Sequence, residues 1–129
     1  MRIALISQYF YPEQFMNNAL ARELVRRGHE VHAFPCVPNY PAGRFFEGYS
    51  NKKRREEEWE GVRISRAYTV PRGRTALSLI ANYAIYPVAV SWTIFRRLRQ
   101  RADVSFVSMP SPLFQAFAGI FLRWRTGTP

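Results

Sequence analysis

Cysteine is almost missing from this sequence: Cys36 is the single one among 129 residues. One thiol closes no internal disulfide and completes no cysteine-based metal motif. A lone free cysteine is ordinarily a small, semi-buried residue, and a reducing, cytoplasmic setting fits it. Histidine is confined to His29 and His32. Acidic residues are scarce, with 9 Asp+Glu against 19 Lys+Arg and a net charge of +10. That balance favours anionic partners: nucleic acid, an acidic membrane surface or phosphates. The apolar run Ile3–Ile6 is too short for the core of a signal peptide, and Tyr11-Pro12-Glu13 follows it closely. Repeats and low-complexity tracts are absent. What is present is a 47% hydrophobic chain, which excludes wholesale disorder. Its length suits one domain, which hides roughly two-thirds of its unfolded surface.

Residues 2–7 read as a strand covered on both faces. A loop with Pro12 leads to a helix over 17–27, with Leu20, Ala21, Leu24 and Val25 as its inward stripe. Asn17 or Asn18 is the expected cap, and Gly28 the terminator. Glu30–Phe34 reads as a second strand, completing a βαβ unit. Residues 35–60 are irregular, and the charge block 52–58 reads as a solvated turn or short helix. Residues 61–68 alternate as a third strand. From Thr75 to Phe95 no charge occurs, and three readings stay open: a helix kinked or split by Pro87 and packed on the sheet, one lying in a membrane interface, or a true span. Val104–Val107 reads as a fourth strand. A rigid loop follows over 109–112, and then a helical pattern of Leu113, Phe117, Ile120, Phe121 and Trp124.

Alternating strands and helices predict an α/β fold, an open parallel sheet with helices on both faces. Ligands of such sheets sit outside the C-terminal strand ends, here the loops 8–17, 35–44, 68–74 and 108–112. Glu13 is either a hydrogen-bond acceptor for a ligand hydroxyl or a charge at the helix start. Asn17 binds an oxygen or caps the helix. Asn39 and Tyr40 sit between two prolines that restrict their loop, which suits either a preorganised binding edge or plain turn chemistry. Arg44, Arg72 and Arg74 carry guanidinium forks that match diphosphate oxygens, with an ordinary solvated surface position as the alternative for each. Aromatic residues Phe45, Phe46, Tyr49 and Trp59 beside basic ones suit sugar stacking or a membrane interface. No nucleic-acid motif accompanies them, so no nucleic-acid partner is expected. Neither histidine reads as catalytic, and no metal or cofactor is expected.

Several motifs occur in an order that resembles a known family. They are Ser7-Gln8-Tyr9-Phe10-Tyr11-Pro12-Glu13, Ala19-Leu20-Ala21-Arg22-Glu23-Leu24, Arg27-Gly28-His29-Glu30-Val31, Pro38-Asn39-Tyr40-Pro41, Glu60-Gly61-Val62-Arg63-Ile64 and Pro110-Ser111-Pro112-Leu113-Phe114. The set resembles the N-terminal, Rossmann-like domain of family 4 glycosyltransferases of the GT-B fold, in the bacterial exopolysaccharide and O-antigen subgroup that includes colanic-acid and fucosamine-type transferases. The resemblance implies a lipid-linked or glycan acceptor bound by Glu13, Asn17, Asn39, Tyr40, Arg44 and Arg72. It implies a nucleotide-sugar donor held by a C-terminal domain that this chain lacks. The expectation is therefore a truncated, acceptor-side domain over 1–129, inactive alone. It would be cytoplasmic or peripheral at the inner face of the plasma membrane, with an anionic membrane surface as a further partner. The alternative is a non-catalytic, basic membrane-docking protein or a subunit of a split transferase. The sequence departs from the family's glycine pair at the first helix, where it has Phe15-Met16-Asn17-Asn18.

Overall fold

The computed structural model describes residues 1–108 and 113–129. The loop expected over 109–112 lies outside them. Five strands, β1 (Arg2–Ser7), β2 (Glu30–Phe34), β3 (Glu56–Trp59), β4 (Val62–Ser65) and β5 (Val104–Ser108), form one sheet in the order β3-β4-β2-β1-β5. Four of them run parallel, while β3 pairs antiparallel with β4, with Trp59 opposite Val62. The α/β class with helices on both faces holds, and the sheet is mixed rather than wholly parallel.

The antiparallel edge corrects the reading of the charge block for its acidic half, Glu56–Glu58, while its basic half stays an exposed turn in which Ser50 and Lys53 bond each other's backbone. Glu60 (φ 48) and Gly61 (φ 78) link Trp59 to Val62 as a two-residue turn with both central φ positive. This turn twists a hairpin in the sense its strands require. A Cβ at Gly61 would come within 2.8 Å of Val25 Cγ1, so glycine is needed twice over. The acidic run survives as an edge strand because edge strands tolerate charge on their open side.

Helix α1 (Met16–Arg26) covers one face, where Leu5, Phe10, Ala21, Val31, Ala33, Val62 and Ile64 form a core. Neither asparagine caps it: Phe15 holds that position without a side-chain bond. Asn17 Nδ2 donates instead to Ser7 Oγ, and Asn18 Nδ2 to the Glu13 carbonyl. At its far end Gly28 N–H bonds the Val25 carbonyl and His29 N–H that of Leu24, closing the helix with both exposed carbonyls satisfied.

Helices α2 (Ala76–Arg97) and α3 (Ala116–Thr126, preceded by a 3-10 turn at Leu113–Gln115) cover the opposite face. There Ala4, Ile6, Phe34, Tyr86, Val90, Ile94, Ala118 and Leu122 pack together. Each large aliphatic or aromatic side chain so buried contributes roughly 1.5–3 kcal/mol. Thr75 caps α2 by accepting from Ser78 N–H. Pro87 does not split α2, which runs unbroken through it; one donor is lost, while the buried face on either side stays packed. The helical spacing expected after Leu113 is present, yet Leu113, Phe117, Ile120 and Trp124 are exposed, and Ala118 and Leu122 face the sheet.

Candidate functional site

The strand order brings the C-terminal ends of β1, β2 and β4 side by side, and the loops that leave them are bonded to one another. Gln8 carbonyl accepts from Cys36 N–H at 2.9 Å, tying the first loop to the second. Glu13 strengthens that tie. Its Oε1 accepts both Asn39 N–H (2.9 Å) and Tyr40 N–H (2.7 Å). Asn39 then reaches the third loop: its Oδ1 accepts Arg72 N–H at 3.0 Å, while Nδ2 donates to the Val37 carbonyl. Gly43 rests so closely on the Arg72 carbonyl that a Cβ there would lie 2.2 Å from it.

Glu13 and Asn39 are therefore buried fasteners of the rim. The sequence offers both residues for ligand contact, with the helix start as the alternative for Glu13 and turn chemistry as that for Asn39; the Glu13 carboxylate is not spent on the helix start, because two backbone N–H groups of another loop hold its Oε1. Burial pushes its pKa up from the ordinary carboxylate value, against the pull of those N–H bonds. Its Oε2 is buried with no partner among the described residues.

Tyr40, 37% exposed, projects from this frame. Its ring centroid lies 5.5 Å from that of Tyr9 and 5.5 Å from that of Phe15, and Tyr9 and Phe15 stack at 5.4 Å. The Arg72 guanidinium lies 5.6 Å from the Tyr40 ring and 6.0 Å from that of Tyr83 on α2. Three rings and a cation thus meet at the rim, with Tyr9 buried beneath the more open Tyr40 and Phe15, an arrangement whose chemistry suits an apolar ring face beside an anionic oxygen. Arg44 is exposed one residue beyond Gly43. Asn17 sits below the platform, bonded to Ser7 at the end of β1. Arg74 is exposed just before α2.

A buried amide network under the platform was not read from the sequence. Gln8 Nε2 donates to Asn82 Oδ1 (2.8 Å), Tyr9 O–H approaches the same oxygen (3.3 Å), and Asn82 Nδ2 donates to the Val70 carbonyl (2.6 Å). Gln115 Nε2 donates to Gln8 Oε1 at 3.2 Å. Asn82, a lone amide in the uncharged stretch, was the available signal. Arg66 was equally hidden. It is fully buried, bonding the Tyr11 and Cys36 carbonyls, paired with Glu57, and lying 5.0 Å from the Tyr49 ring.

The histidines lie elsewhere. His29 Nδ1 is 3.5 Å from the N-terminal amine. His32 Nε2 bonds Ser65 Oγ, which donates to Glu56. Burial, with the charge of Arg63, lowers the His32 pKa to about 3. Among the described residues, no three His, Cys, Asp or Glu side chains gather as a metal site. Among the described residues, three cavities lie away from the rim: one of about 440 Å³ at the strand starts, lined by Arg2, His29 and Arg63, one of about 460 Å³ between α2 and Phe114 and Phe117, and one of about 250 Å³ where α2 and α3 end, lined by Ile94, Leu98 and Arg125.

Comparison with known proteins finds one family model, described as a glycosyl transferase 4-like domain, matching residues 16–129. The match begins at α1, so β1 and the Glu13 loop precede it. No curated protein matches the chain.

Proposed function

The chain belongs to the glycosyl transferase 4-like domain family, and from that premise we propose that it is the acceptor-binding half of a GT-B glycosyltransferase. In this reading a sugar passes from a nucleotide sugar to a lipid-linked or glycan acceptor in cell-envelope polysaccharide synthesis, in the exopolysaccharide and O-antigen subgroup. The observation that carries it is the platform of Tyr9, Phe15 and Tyr40 with Arg72 beside it, fastened by Glu13 and Asn39 across three strand ends.

The acceptor's sugar ring rests on Tyr40 and Phe15, and Arg72, with Arg44 nearby, neutralises its diphosphate. Asn17 and the amide network keep the platform in place. An acceptor hydroxyl held this way attacks the anomeric carbon of a donor presented from the facing domain; the glycosidic bond forms as the bond to the nucleoside diphosphate breaks, and the hydroxyl proton leaves with that diphosphate or to solvent. Such alignment is worth several kcal/mol or more of barrier, on the order of 7–11 in the best-oriented systems. Assayed apart from any donor-binding domain, this half forgoes that gain and should turn over no sugar.

The test is calorimetric titration with a water-soluble, short-chain prenyl-diphosphate sugar. The chain should bind it, and Arg72→Gln and Tyr40→Ala should each weaken binding roughly tenfold, the size of one lost charge-assisted bond or stacked ring. A nucleotide sugar offered alone should bind less tightly and should not be consumed. Unaided turnover, or indifference of binding to both substitutions, would overturn the assignment.

A further inference from the structure

Helices α2 and α3 show solvent the wrong side for a water-facing surface. Leu77, Ile80, Val88 and Trp92 recur along α2 at helical spacing and are each more than 60% exposed. Phe117, Ile120 and Trp124 do the same on α3, Trp124 at 83%. A surface helix ordinarily turns its charged face outward. The two stripes are joined by the groove between Ala84, Val88, Phe114 and Phe117, so the patch is continuous. Contiguous patches of this kind mark interaction sites.

Basic residues border the patch at one end, where both helices finish. Arg125 lies 4.3 Å from the Phe95 ring and Arg96 5.7 Å from that of Trp92. Neither helix carries an Asp or Glu. Burying such guanidinium groups in a protein interface without acidic partners is costly. At a bilayer the same arrangement is favourable: rings enter the acyl boundary while arginines stay with the lipid phosphates.

Length and composition would let α2 cross a membrane, but its inner face is committed to the protein. Asn82 belongs to the rim network, and Tyr86 O–H donates to the Phe34 carbonyl of β2. We infer that the α2–α3 face docks in the plane of an anionic bilayer, with Trp92, Phe117 and Trp124 inserted and Arg96 and Arg125 on headgroup phosphates. This docking does not depend on the acceptor assignment. It would nevertheless bring the rim to the lipid surface, because α2 also carries Asn82 and Tyr83.

Vesicle co-sedimentation without any sugar substrate tests it, using phosphatidylcholine vesicles with and without phosphatidylglycerol. The chain should sediment with the anionic vesicles and much less with the neutral ones. Arg96→Gln with Arg125→Gln should reduce partition roughly tenfold or more, given about 1 kcal/mol per basic residue near such a surface. Trp92→Ser with Trp124→Ser should abolish it. These side chains are exposed, and matched thermal melts establish that the variants fold. Absence of sedimentation with anionic vesicles overturns the proposal, as does equal binding to neutral vesicles or equal binding by both double variants. A lipid-free dimer that the tryptophan variant dissociates, with no vesicle binding, assigns the face to a second copy and overturns it too.

Discussion

Glu13 joins two loops through one oxygen, and its other oxygen is buried without a partner among the described residues. Truncation in Glu13→Ala strands two backbone N–H groups and should cost about 2 kcal/mol in denaturant unfolding. Charge acts in the other direction. Because burial raises the folded-state pKa above its ordinary 4.5, the carboxyl favours the fold fully below that value and loses the advantage as pH rises through the folded one. Glu13→Gln should flatten the stability profile above about pH 4.5. His32 has the complementary behaviour. Its pKa falls from 6.5 to about 3, so its contribution is present above pH 6.5 and is lost as pH falls toward 3. Unfolding of His32→Gln followed across that window should lack roughly 2–4 kcal/mol of the parent's acid destabilisation.

At the scale of elements, the Glu60-Gly61 turn and helix α2 carry the most specific instructions. Gly61→Ala meets both a positive φ and the Val25 side chain, and should lower stability by about 2 kcal/mol. Asn82→Leu would leave the Val70 carbonyl and the Gln8 amide without partners, at a cost of about 2–3 kcal/mol. It should also loosen Tyr9, so binding of the prenyl-diphosphate sugar should weaken beyond what the melt explains. The opening βαβ unit was legible because its signals are local: an apolar run, a helical stripe, a glycine at the helix end. Strand β3 was not, because Glu56–Glu58 carry no apolar alternation and pair only through the turn that follows. That the loops leaving β1, β2 and β4 meet along one edge was legible from sheet logic. The division of labour within them was not legible. Whether Glu13 and Asn39 touch a ligand or tie the rim depends on which backbone N–H groups lie opposite, and that is a property of three loops meeting. Arg66 gave no warning, because strand alternation records which face a residue takes but says nothing of a carboxylate and two carbonyls arriving from distant segments.

For the whole molecule, a net +10 remains after every carboxylate is counted, and of the five ion pairs among the described residues four are exposed on both sides. Like charges then repel across the compact state. Screening should relieve this: the melting temperature should rise by a few degrees between low salt and about 0.5 M sodium chloride, where the Debye length falls to roughly 4 Å. A fall would mean that the attractive pairs dominate. The two faces of the sheet are unequal, with α1 half-buried and polar outside while α2 and α3 are apolar outside, so orientation is built into the fold. The sealed thiol offers a way to time its motions. Cys36 lies beneath the junction of the three loops, its N–H bonded to the Gln8 carbonyl and its sulfur in contact with Asn39. Burial raises its pKa well above the ordinary thiol value, so in the closed molecule it is inert toward a disulfide reagent. Such a reagent can modify it only during the moments when the loops part, and the labelling rate therefore counts those moments: a native stopwatch for breathing at the rim, which a bound acceptor should slow.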